Sequence, residues 1–189
     1  MRIKKTPLLR PTQWLLGAVL CGVTLSFTAD EALAAEPLSA PEGRVLLTLT
    51  GNIGVTNSGT NSALEQTEQA EFDLALLDSL PQHEFDTETP WTNGVHRFSG
   101  VLLRDLLERV DAKGVVIKAV AFNEYFSVID ISRPELSGLL LATRMDGEPM
   151  RIRDKGPSWL MLPLSESKQL DNKRFHELLI WQLRTLDVQ

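Results

Sequence analysis

Apolar and polar positions along the chain fall into distinct rhythms. Arg44–Ile53 alternates through Val45, Leu47 and Leu49, the two-residue period of a half-buried strand. Asn57–Glu68 is rich in Ser, Thr and Asn and has no apolar period, so it predicts an exposed loop. Phe72, Leu74, Leu76, Leu77 and Leu80, with Asp73 near the start and Pro81 at the stop, predict a short helix. A stronger helix is expected from Ser99 as N-cap, because Leu102, Leu103, Leu106, Leu107 and Val110 share one face while Arg104, Asp105, Glu108 and Arg109 share the other.

Val115–Phe122 and Tyr125–Ile131 are β-rich runs about an Asn123-Glu124 turn, and Ser132-Arg133-Pro134 breaks the second. Asp146-Gly147, between Leu139–Ala142 and the alternating Met150 and Ile152, is a strong hairpin signal because its turn needs positive φ values. Lys155-Gly156-Pro157 then joins a permissive residue to a rigid one before the apolar strand Trp159–Leu164. In the tail, Phe175, Leu178, Leu179 and Gln182 predict a helix over Arg174–Leu183, with Thr185–Val188 closing the sheet as a last strand.

The N-terminus changes the count of what folds. Arg2, Lys4, Lys5 and Arg10 precede the apolar run Trp14–Phe27, which Asp30-Glu31 close ahead of Ala32-Leu33-Ala34. That is the layout of a secretory signal with cleavage after Ala34, and the run is shorter than the roughly 20 residues a membrane span needs. Leu20 before Cys21 is not the small residue a lipobox wants. Segment 1–34 is therefore expected to be removed, giving a periplasmic or secreted chain with no membrane insertion of its own. What remains lacks cysteine, which removes disulfides, thiolate metal sites and cysteine nucleophiles together. It carries 15 basic against 23 acidic residues, an excess that excludes nucleic acid as a natural partner.

Four segments together carry a resemblance: F-S-G-V-L-L-R-D-L-L at 98–107, F-N-E-Y-F-S-V at 122–128, L-L-L-A-T-R-M-D-G-E-P-M at 139–150 and K-G-P-S-W-L-M-L-P at 155–163. In this order they resemble the molybdopterin-binding domain of the sulfite oxidase superfamily, in its small stand-alone exported form. The resemblance implies an α+β fold of that type, a mixed sheet that includes 115–131 and 139–164, with the 99–110 helix packed on it. Residues 35–71 would supply an N-terminal strand and polar loop, residues 72–189 the molybdopterin-binding-domain-like region, and 35–189 one globular domain. The Asp-Gly hairpin and Gly-Pro loop would line the pterin cleft.

The chain departs from that pattern at two informative places. Catalytic members hold molybdenum through a cysteine about a dozen residues before the position of Gly100; here that window reads Thr87-Glu88-Thr89-Pro90-Trp91, and Glu88 offers only a carboxylate. An arginine common after the Gly-x-Pro turn is replaced in that region by Trp159. The signal also shows Lys4-Lys5 rather than twin arginines, so export of a chain already folded around a cytoplasmically inserted cofactor is not expected.

The resemblance places Trp91, His96, Arg97, Asn123, Tyr125, Arg144, Lys155, Gly156 and Trp159 along the family cleft. His96 and Arg97 read either as anion capture near a helix N-terminus or as a solvated loop pair. Trp91 and Trp159 read as core or rim packing. Tyr125 and Arg144 are the stronger candidates for a ligand contact, since each polar tip in an apolar strand needs a partner. Lys155 would extend into the cleft from a backbone fixed by Gly156-Pro157. His83, His96 and His176 have no metal spacing, and neither a nucleophile elbow nor a Gly-rich phosphate loop is present. The expectation is a binding module without molybdenum, for a small anionic ligand or a signalling or redox partner in the periplasm or membrane; the alternative is a molybdenum-cofactor-dependent oxidoreductase acting on a small oxyanion or sulfoxide.

Overall fold

The computed structural model describes residues 37–59 and 68–189; the expected signal segment and the centre of the polar loop lie outside the described residues. The chain order is β1 (Leu47–Gly51), β2 (Ser58–Gly59), β3 (Glu68–Phe72), α1 (Leu74–Asp78), β4 (Gln82–Glu88), β5 (Val95–Leu102), α2 (Leu103–Arg109), β6 (Val116–Ala121), β7 (Phe126–Asp130), β8 (Leu140–Met145), β9 (Glu148–Pro149), β10 (Trp159–Met161), α3 (Lys173–His176) and β11 (Leu183–Val188). The described residues form one compact unit. The architecture is α+β, with short helices and strands in two sheets.

The larger sheet runs β2-β3-β1-β11-β6-β7, and the second runs β10-β8-β5-β4 with β9 attached to β8. Runs 115–131 and 139–164, expected in one sheet, are thus divided between two. The reason lies at the C-terminus: β11 enters the centre of the larger sheet, parallel to β1 and antiparallel to β6, rather than closing an edge.

Leu47, Leu49, Ile117, Ala119 and Leu186 face a main core shared with Leu103, Leu106 and Leu107 of α2 and with Val101, Leu141 and Leu160 of the second sheet. The alternate residues of that second sheet, Phe98, Leu140, Ala142, Trp159 and Met161, build a smaller core on its other face. The sheet is buried on both sides. That explains why Leu139–Ala142 is an unbroken apolar run instead of an alternating one.

Ser99 does not cap α2. It lies within β5, which continues to Leu102, and the first helical N–H, that of Leu103, donates to the Leu139 carbonyl at 2.8 Å. A tertiary acceptor replaces a side-chain cap. Asp73 does cap α1: its Oδ1 accepts from Leu76 N–H at 2.9 Å, while Oδ2 accepts from Glu42 and Gly43 N–H at 3.0 and 2.7 Å. Phe72, expected to open that helix, instead ends β3. The tail helix is limited to Lys173–His176, because Leu178, Leu179 and Ile180 are buried in succession and no amphipathic helix can bury three consecutive side chains on one stripe.

Candidate functional site

The segment after α3 stitches the two sheets together. Leu160 N–H donates to Ile180 O at 2.9 Å, Leu183 N–H to Ser158 O at 3.2 Å, and Gln182 N–H to Lys155 O at 3.0 Å, while Trp159 and Trp181 form an isolated antiparallel bridge. At this seam three tryptophans meet. The Trp91 and Trp181 rings lie 5.4 Å apart at 64°, Trp159 and Trp181 lie 6.1 Å apart at 88°, and His176 sits edge-on 5.7 Å from Trp91. Tilted contacts of this kind match positive ring edges to negative faces. Trp159 is fully buried and donates Nε1–H to the Leu179 carbonyl at 3.3 Å, so it is the core member of the cluster.

A cleft of about 420 Å³ opens beside this cluster, lined by Trp91, Trp181, Tyr125, Asn123, His176 and Lys173 among others. Each wall has a local cause. Asn123 Oδ1 accepts from Tyr125 N–H at 3.1 Å, and Glu124 takes φ 65°, so the β6–β7 turn is set by an Asx bond and a left-handed residue. Tyr125, placed just before β7, donates its hydroxyl to the Glu177 carbonyl at 3.3 Å across the cleft mouth. His176 is oriented by Asp171 Oδ1 at 2.8 Å. Trp91 stands on a turn in which its own N–H donates to Thr89 Oγ1 at 3.2 Å.

Lys155 approaches the same cluster from behind. Its backbone is left-handed at φ 70°, as is that of Gln182 at φ 52°, and the two are hydrogen-bonded to each other. Non-glycine residues pay for this conformation, and such strain gathers at functional sites. The ammonium lies 5.7 Å from the Trp159 ring centroid and 5.9 Å from that of Trp181, within cation–π reach of both. Next to it, a Cβ on Gly156 would meet the Met150 carbonyl oxygen at 2.1 Å, so only glycine allows this loop to close over the smaller core.

The remaining expected site residues lie elsewhere. Arg97 makes a two-pronged contact with Asp86 at 2.8 and 3.1 Å, its partner in the β4–β5 register, and Glu84 stands 3.6 Å away. That hydrogen bond raises the Arg97 pKa and lowers that of Asp86. Arg144 grips both oxygens of Asp78 at 2.6 and 2.7 Å, which raises its own pKa. His96 Nδ1 lies 2.7 Å from Asp146 Oδ2, and with the Arg97 N–H this holds the Asp146 carboxyl below its ordinary value. Asp146 and Gly147 take φ 53° and 84°, the mirror-image turn the hairpin signal required. Glu88 ends β4 exposed, its N–H donating to Ser165 Oγ at 2.9 Å, and borders a separate recess with Thr89, Pro90 and Asp171.

Of the nine cleft candidates, Trp91, Asn123 and Tyr125 line the opening; Trp159 and Lys155 do not line it but pack against lining rings, Trp159 on Trp91 and Trp181 and Lys155 on Trp181, and Gly156 lies beside Lys155 in the chain. His96, Arg97 and Arg144 do not line it. Trp181 and His176 escaped the sequence reading because Arg174–Leu183 read as one helix. The available signal was Trp181 itself, a large aromatic beside Gln182 in a tail whose other apolar positions were already accounted for. Among the described residues, no group of three His, Cys, Asp or Glu side chains is arranged to hold a metal, and no helix is long and apolar enough to cross a membrane.

No family model and no curated protein matches the chain. Among solved structures it is similar to the sulfane dehydrogenase SoxCD from Paracoccus pantotrophus, with a TM-score of 0.51 at 15% identity. The match covers 75% of this chain and 37% of that one, so the chain spans well under half of the protein it resembles. At such identity the likeness concerns the fold alone.

Proposed function

We propose that this chain is a sulfite-oxidase-like domain used as a binding module, taking a small, partly flat ligand between Trp91, Trp181 and Tyr125. The observation that carries this reading is the aromatic cleft: its volume and lining match those of small-molecule sites, which are largely apolar with a few placed polar groups. Lys173 at the mouth would meet an anionic group of the ligand. Arg97 and Arg144 would not, since a guanidinium already held by two carboxylate oxygens has little left to offer.

The residues present do not fit a molybdenum–pterin group. The window where the thiolate ligand is expected, Thr87–Trp91, holds no cysteine, and its one carboxylate, the exposed Glu88, borders a recess apart from the aromatic cleft. The chain's one cysteine, Cys21, lies in the segment expected to be removed. The fold likeness to a dehydrogenase supports shared architecture, and the chemistry of these donors favours a binding role.

Protein purified under non-denaturing conditions from its native compartment tests this. Metal analysis is expected to find no stoichiometric molybdenum, and native mass spectrometry a small bound mass that Trp181→Ala removes. About one molybdenum per chain would overturn the reading in favour of the oxidoreductase.

A further inference from the structure

Of the seven large hydrophobic side chains exposed among the described residues, five sit on or beside the β6–β7 hairpin: Val115, Phe122, Tyr125, Phe126 and Val128. Phe126 and Val128 are each 55% exposed and lie two residues apart on the outer face of β7, the edge strand of the larger sheet. Among the described residues the backbone of that edge is also unpaired. Ala121 N–H bonds Tyr125 O at 2.8 Å and Ile131 N–H bonds Val115 O at 2.9 Å, so odd-numbered residues carry the ladder to β6. In an antiparallel ladder the N–H and C=O groups of Phe126, Val128 and Asp130 must then point away from the sheet.

The two sheets treat their edges differently. On β4, the edge of the second sheet, Glu84, Asp86 and Glu88 are exposed, and pairing with another copy would set carboxylates beside carboxylates. Charges of this kind are how proteins blunt an edge. β7 reads Phe-Ser-Val-Ile-Asp, without proline, bulge or lysine.

We propose that a second copy of this chain covers β7, through antiparallel β7–β7 pairing about a two-fold axis at Val128. The registry is self-complementary. Phe126 of one copy falls opposite Asp130 of the other, and Lys118, whose Nζ lies 5.0 Å from the Phe126 ring centroid, is carried to the same place. Asp130 Oδ1 is engaged by Ser132 N–H and hydroxyl at 3.0 and 2.6 Å, and Oδ2 has no partner among the described residues. Each two-fold contact therefore brings an ammonium to an unused carboxylate oxygen, twice per dimer, with Val128 against Val128 between them.

Sedimentation velocity on protein purified after expression of the full-length chain, over roughly a hundredfold range of concentration, tests this directly. The expected result is a monomer–dimer equilibrium. Val128→Pro removes an outward-facing N–H that β6 does not use, a position where edge strands tolerate proline, and should leave a folded monomer. Lys118→Asp and Asp130→Lys should each weaken the dimer about tenfold, and the two together should restore it. A monomer at every concentration overturns the proposal. So does a dimer that the charge exchange leaves unchanged, which would place the interface elsewhere, and that arm remains decisive if the proline variant does not fold.

Discussion

The β4–β5–β8 surface and the aromatic seam between the sheets hold nearly all the side chains that sequence reasoning would assign to a binding site, yet they use them in opposite ways. On the first, Arg97, His96 and Arg144 are each met by an aspartate within 2.9 Å, so their charge is spent inside the molecule. At the seam, Trp91, Trp181 and Tyr125 leave a cavity between them, and Lys155, packed on the rings, is held by π faces and by no carboxylate among the described residues. The difference teaches that a cationic residue on a resembling motif is a ligand contact only if its own neighbours leave it unsatisfied. An aromatic wall has no such internal competitor.

The sharpest way to break the comparison is to separate packing from binding within the seam. Trp159→Ala empties a fully buried site and should cost about 3–5 kcal/mol, with a fall in melting temperature of roughly 2–4 °C for each kcal/mol. Trp181→Ala, at a half-buried position, should cost under about 2 kcal/mol while abolishing ligand binding. Equal losses from both, read by thermal denaturation, would mean the seam is only core. Next in size is Gly156→Ala, where the added methyl must displace the Met150 carbonyl; a loss of about 1–3 kcal/mol is expected, with weaker ligand binding because Lys155 moves too.

Arg144→Ala tests the other region. Its half of the Asp78 pair is partly exposed, so the cost should stay at or below about 1 kcal/mol, and ligand affinity should not change. A large affinity loss there would reverse the comparison. The smallest effect is on acid stability. The carboxyls of Asp73, Asp86, Asp130 and Asp146 all titrate below the ordinary value of 3.8: Asp73 through N–H donors from Leu76 and Gly43, Asp86 through Arg97, Asp130 through the Ser132 hydroxyl, Asp146 through His96. As pH falls the unfolded chain takes these protons first, so their contribution is complete above about 3.8 and is lost below it. Denaturant midpoints measured from neutral pH downwards should stay level and then drop, and Asp73→Asn should flatten the drop.

Much of the fold was legible because it rests on local rules. The Asp146-Gly147 turn, the Asn123-Glu124 turn and the Asp73 cap each need particular residues at particular backbone angles, and the sequence supplies them. The α2 stripe was legible for the same reason, although its start was not, since the group that satisfies Leu103 N–H comes from Leu139, far along the chain. Sheet membership was illegible: nothing in Thr185–Val188 announces that it separates β1 from β6. The site divided along the same line. Asn123 and Tyr125 sit on a turn that a motif identifies and Trp91 in the window the resemblance sets beside the cleft, whereas Trp181 reaches the cleft because Leu178–Ile180 bury in succession. The pairing of Arg97 and Arg144 with aspartates depends on strand register and on α1 meeting β8, which no local pattern encodes.

The central claim, that the aromatic cleft is the binding surface, is tested most directly by nuclear magnetic resonance on ¹⁵N-labelled protein titrated with small planar carboxylates such as indole-3-acetate. The account predicts that the indole N–H signals of Trp91 and Trp181 shift together with increasing ligand while the guanidinium Nε–H signals of Arg97 and Arg144 stay in place. Shifts confined to the two arginines, with the indole signals unmoved, would contradict it.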